Sequence, residues 1–73
     1  MKHEAMKDLL RAYLGPEREY EMISEKEYPG YSVFRVSEAG NIDQYQIFKD
    51  GTIMLNCKEV INWRQAEKIL KAA

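Results

Sequence analysis

The sequence predicts an α+β fold: a small antiparallel meander of three to four strands, with one helix before it and one after it. Three observations carry this. An apolar stripe of helical period ends at Gly15-Pro16; alternating runs separated by Pro29-Gly30, Ala39-Gly40 and Asp50-Gly51 fill the middle; a second helical stripe follows Asn62. With 73 residues there is room for one core only, so residues 1–73 read as a single α+β domain.

Met6, Leu9, Leu10, Tyr13 and Leu14 fall at i, i+3, i+4, i+7 and i+8, with Lys7, Asp8 and Arg11 off the stripe. The spacing predicts a helix over about residues 2–14. Gly15 accepts the left-handed conformation that ends a helix, and Pro16 cannot continue one.

In the middle, Tyr20 and Met22 alternate with Glu19 and Glu21, which predicts a first strand near residues 18–25, until Ile23 breaks the pattern. Tyr28-Pro29-Gly30 is a turn, because proline presets φ at its second position and glycine accepts a positive φ at its third. Tyr31 to Ser37 puts Phe34 and Val36 on one face, Tyr31 and Val33 on the other. After Ala39-Gly40-Asn41, the run Ile42 to Lys49 opposes Tyr45 and Ile47 to Gln44, Gln46 and Phe48. Asp50-Gly51 between apolar-rich runs predicts a type I′ hairpin. Its return strand, Thr52 to Cys57, sets Ile53, Leu55 and Cys57 inward.

The last helix starts at Asn62, with Gln65 three residues on as an approximate capping box and Ile61 poised to pack on Ala66. Trp63, Ala66, Ile69, Leu70 and Ala73 form its expected buried stripe.

Composition narrows the function classes. Hydrophobic content of 45% with 32% charged residues argues for a folded globular chain. A lone Cys57 forms no intrachain disulfide, and one cysteine with one histidine far away offers no metal-ligand spacing, so no metal and no cofactor are expected. No apolar run approaches the ~18–20 residues that span a bilayer, and the charged start Met1 to Asp8 lacks the apolar stretch of a signal peptide. The expectation is a cytoplasmic protein with no membrane contact. A net charge of −1 argues against a broad polyanion-binding surface. A chain this small is marginally stable alone, so its size leaves open a homodimer or an obligate partner.

Catalytic inventory is thin. His3 sits at the fraying start of a helix, Cys57 reads as a small core hydrophobe, and Asp43 and Asp50 make no metal pair. Gly15, Gly30, Gly40 and Gly51 stand singly at element boundaries, so no phosphate-binding glycine loop exists. Two charge features remain. Glu17, Glu19, Glu21, Glu25 and Glu27 face only Arg18 and Lys26, an acidic edge that either discourages strand aggregation or docks a basic partner. Arg64, Lys68 and Lys71 lie at i, i+4 and i+7 on the last helix, either a solvated face or a row that touches phosphates. Among the five tyrosines, Tyr28 and Tyr31 beside their turn are the ones expected to be exposed.

Trp63-Arg64-Gln65-Ala66-Glu67-Lys68 falls where double-stranded RNA-binding domains begin their final helix, and the order helix, three strands, helix resembles that family. The resemblance is topological. That family reads phosphates from a lysine-rich helix start, whereas Trp63, Gln65 and Glu67 occupy the stretch here.

The leading expectation is therefore a non-enzymatic protein–protein interaction module. It would be a small regulator or inhibitor of a cytosolic partner, of the kind phages and mobile elements carry, docking through Tyr28, Tyr31, Glu19 and Glu21. The alternative is a nucleic-acid-binding domain that uses Arg64, Lys68 and Lys71.

Overall fold

The stripe read from the sequence forms α1 (His3–Leu14), which buries Met6, Leu9, Leu10 and Leu14. Gly15 ends it at φ 84°, its N–H donating to the Arg11 carbonyl at 3.0 Å. The structure is a computed structural model that describes residues 1–72. After α1 come β1 (Glu21–Tyr28), β2 (Tyr31–Glu38), β3 (Asn41–Phe48), β4 (Ile53–Leu55), β5 (Lys58–Ile61) and α2 (Trp63–Ala72). All strands join one antiparallel meander in chain order, so β1 and β5 are its edges.

The meander thus has five strands instead of three or four. The run expected as one strand from Thr52 to Cys57 breaks at Asn56-Cys57, whose φ values of 48° and 71° make a two-residue type I′ loop between Leu55 and Lys58. Cys57 is consequently an exposed turn residue and not a core hydrophobe. Asparagine tolerates the left-handed region, which is why this turn forms without a glycine. At Asp50-Gly51 the expected hairpin exists with a different turn. Only Gly51 has positive φ (99°), Gly51 N–H donates to Phe48 O at 2.9 Å and Phe48 N–H to Thr52 O at 2.9 Å. That is a three-residue loop ending in a glycine bulge. Asp50 Oδ1 accepts the Thr52 N–H at 2.9 Å, a bond that holds its carboxyl below the usual aspartate range.

β1 begins later than the alternation near residues 18–25 suggested. Glu19 precedes it, and a bulge between Met22 and Ser24 reverses the facing of everything that follows.

One sheet face carries the core. Ser32, Phe34 and Val36 of β2, Tyr45 and Ile47 of β3, Ile53 and Ile61 are buried with the α1 stripe and Ala66 of α2. The Asn62 capping box forms, with Asn62 N–H donating to Gln65 Oε1 at 2.8 Å and Gln65 N–H to Asn62 Oδ1 at 3.0 Å. The stripe beyond it does not form as read. Ala66 alone is buried in α2, Ile69 is half-buried, and Trp63 and Leu70 are 44% and 39% exposed; Ala73 lies outside the described residues. The short helix reaches the core by Ala66, with Ile69 packed half-buried beside it.

That contact sets a strict requirement at Gly51. A Cβ there would stand 2.8 Å from the Ala66 Cβ, while φ is already unfavourable for any L side chain. Gly40, at φ 81°, has open space around it. In urea denaturation, Gly51→Ala should cost about 3 kcal/mol or more, and Gly40→Ala only about 1–2 kcal/mol. Equal losses would refute the packing role of Gly51.

Candidate functional site

Residues paired across antiparallel strands share a face, so the register defines what lies opposite the helices. Tyr28 pairs with Tyr31 and Tyr31 with Phe48; Lys26 pairs with Val33 and Val33 with Gln46; Ser24 pairs with Arg35 and Arg35 with Gln44. Among the described residues no element covers this face. At the turn end, the Tyr28 and Tyr31 rings stack at 5.0 Å and 18°, and Tyr31 meets Phe48 at 5.8 Å and 45°. The Pro29-Gly30 turn produces the stack, because its two-residue loop forces Tyr28 and Tyr31 into direct opposition. Beyond the rings, the sheet's twist opens a groove of roughly 500 Å³ lined by Lys26, Tyr28, Tyr31, Val33, Arg35 and Gln46.

Its charge is cationic at the centre. Lys26 Nζ lies 5.3 Å over the Tyr28 ring, and the Arg35 guanidinium reaches Gln44 Oε1 only at 3.5 Å. Neither cation makes an ion pair among the described residues, whereas Lys7 and Arg18 both do.

The residues read from the sequence are placed as follows. Tyr28 and Tyr31 come together on the open face, but each is half-buried and not exposed as expected, because the stacked rings cover one another. Glu21, opposite Ser37, lies on the same face at the far end of β1, and Glu19 lies outside the sheet, so the tyrosines and glutamates form no single patch. Nor is there one acidic edge, because the bulge turns Glu25 and Glu27 to the helix side, opposite Phe34 and Ser32. Arg64, Lys68 and Lys71 are all exposed on α2, with Arg64 5.1 Å over the Trp63 ring. Phe48, Lys26 and Arg35 were missed as site residues. Their signal was the two-residue alternation that already set Phe48 against Ile47, combined with the register of the hairpins.

Sequence reasoning also misjudged His3. Instead of fraying, its ring stacks on Phe34 at 5.2 Å, with Nδ1 2.7 Å from Ser32 Oγ and Nε2 2.9 Å from Glu25 Oε1. In the neutral ring Nε2–H donates to the carboxylate, leaving Nδ1 to accept the Ser32 hydroxyl. Lys7 Nζ completes the cluster 2.9 Å from Glu25 Oε2. Its ammonium, then His3, pulls the Glu25 carboxyl below the usual glutamate range, and Glu25 in turn raises Lys7. Serine, histidine and glutamate in sequence of contact resemble a nucleophilic triad, but the Ser32 side chain is fully buried and presents no hydroxyl to a substrate. His3, Glu4 and Glu25 could also reach one cation, since their ligand atoms lie within 4.8 Å of one another, yet the Lys7 ammonium already meets that charge. The cluster docks α1 on the sheet.

No family model matches this chain, and no curated protein or solved structure shows significant similarity to it. The five-strand meander also departs from the helix, three strands, helix order of double-stranded RNA-binding domains.

Two predictions come from the docking cluster. His3→Ala leaves the Ser32 hydroxyl buried without its partner and should cost about 2–3 kcal/mol, whereas Ser32→Ala should cost about 1 kcal/mol or less. Urea denaturation of both variants and the double mutant measures the coupling, and additive losses would contradict it. Because the Glu25 pKa is depressed on folding, its stabilisation is present in full above the ordinary glutamate value. It disappears as pH falls through the lower folded-state value. The stability gap between wild type and Glu25→Gln should therefore shrink below about pH 4.5. A gap that persists or widens in acid would contradict that.

Proposed function

We propose that this protein is a non-enzymatic docking module that binds another protein through the open face of its sheet, centred on Tyr28, Tyr31 and Phe48, and regulates that partner. The observation that carries this reading is the aromatic cluster held on a sheet face that no element covers among the described residues. Tyrosine offers a large contact area with few rotatable bonds, so its burial by a partner loses little entropy, and such residues dominate interface energetics. The sheet behind them is fixed by the core, which makes the surface preorganised. No helix among the described residues is long and apolar enough to cross a membrane.

A second reading rests on α2. Arg64, Lys68 and Lys71 are exposed on one side of it, a row that could meet phosphates. Fluorescence anisotropy with short DNA and RNA duplexes tests this; binding that weakens steeply with salt and is lost in Arg64→Ala/Lys68→Ala would favour it.

For the leading reading, affinity capture from native lysate with wild type, Tyr28→Ser and Tyr31→Ser is decisive. Each substitution should weaken capture of a defined partner by about 2 kcal/mol, roughly thirtyfold. The circular dichroism spectrum should stay unchanged. Capture unaffected in the double variant would refute the docking face.

A further inference from the structure

We propose that the groove on the open face accepts an acidic, extended segment of the partner, with carboxylates at alternate positions beside an apolar side chain. This deepens the docking reading and rests on it.

Complementarity of charge and spacing carries the inference. Lys26 and Arg35 are diagonal neighbours across the β1–β2 pair, since Lys26 opposes Val33 and Arg35 is two residues further along the same face. Diagonal pairs stand about 7–8 Å apart, close to the ~6.6–6.8 Å between alternate side chains of an extended chain. Two carboxylates at i and i+2 of such a chain therefore reach both cations. The cations are also available. Among the described residues, Lys26 has only the Tyr28 ring beneath it, and Arg35 keeps most of its donors free beyond the long bond to Gln44. Glu25, whose backbone borders the groove, cannot neutralise them, because its carboxylate is turned to the other side and held by Lys7 and His3. Tyr28, Tyr31 and Val33 supply the apolar floor on which the occupant's uncharged side chain rests.

The same map disfavours a nucleic acid strand. Glu21 closes the face at one end, and Glu59, paired with Met54, lies across it on β5. A continuous phosphate chain crossing the face would meet these carboxylates, with two central cations to offset them. Discrete carboxylates meet only the centre.

Selection of a phage-displayed random peptide library on the immobilised full-length chain tests this. Wild type should enrich peptides with Asp or Glu at alternate positions next to an aromatic or aliphatic residue, and Tyr31→Ser should lose that enrichment. Lys26→Glu/Arg35→Glu should invert the charge preference toward Lys and Arg. A synthetic copy of an enriched peptide should bind Arg35→Gln about tenfold more weakly or worse in anisotropy. Enrichment that depends on Tyr31 but shows no acidic bias, or a bias that survives charge reversal, overturns the acidic partner and leaves the docking face standing. Absence of any Tyr31-dependent enrichment overturns both. Oligo-dT binding that is lost in Arg35→Glu would overturn the inference in favour of a nucleic acid strand.

Discussion

One extra residue in β1 decides what both faces of this sheet are. Without the bulge between Met22 and Ser24, the alternation that points Met22 at the core would also point Ser24, Lys26 and Tyr28 there, and would leave Glu25 and Glu27 outside. With it, Glu25 turns under α1 and Lys26 and Tyr28 turn out. The helix side thereby gains the carboxylate that receives His3 and Lys7, and the open side gains its central cation and half of its aromatic stack. Docking of the first helix and construction of the candidate site are consequences of the same backbone irregularity.

Behind the sheet, small and polar contacts accomplish what apolar area alone cannot in a chain of this size. His3, Ser32 and Glu25 tie the start of α1 to the two adjacent strands, and among the described residues no buried side-chain polar atom lacks a partner. Toward the other end of α1, Arg18 is held by both Glu38 carboxylate oxygens and lies near the Tyr45 hydroxyl, with its pKa raised chiefly by that carboxylate. Tyr45 meets Tyr13 edge-on at 6.3 Å, and burial pushes its phenol above the usual range. So the connection from α1 to β1 is clamped to the sheet. α2 is attached more lightly, through Ala66 against Gly51, a half-buried Ile69 and its contact with α1.

What was legible in the sequence follows the physics that is local. The α1 stripe and its Gly15 stop, the Asn62–Gln65 box, the alternation of β2 and β3 and the positions of three turns depend on residues within a few places of one another, and all were readable. The bulge was not, because Ile23 looked like the end of a pattern when it was an insertion into one. The Asn56-Cys57 turn lacks the glycine that usually marks such loops. The α2 stripe was overread because periodicity measures which residues could be buried, while the area available to bury them depends on how closely the helix approaches. His3 was underread for the complementary reason: its three partners come from β1 and β2, more than twenty residues away. In the site, Tyr28 and Tyr31 announced themselves by their turn; Phe48, Lys26 and Arg35 required the register.

A five-stranded sheet with two short helices cannot cover both its faces, so some face must meet water or a partner. Its composition bears on which. A surface built merely to stay soluble would place charges along the edges, as β1 and β5 do with Glu21, Lys58 and Glu59. The open face instead carries stacked rings at its turn end, and beyond them a valine, amides and two cations without carboxylates. Nothing in the core depends on these side chains, since every fully buried side chain in the sheet points to the helix side. The fold is therefore insulated from changes at the open face, and substitutions there leave the core packed as it is. One face is spent on folding and the other is free of the core's constraints, which is the separation the proposed docking role needs.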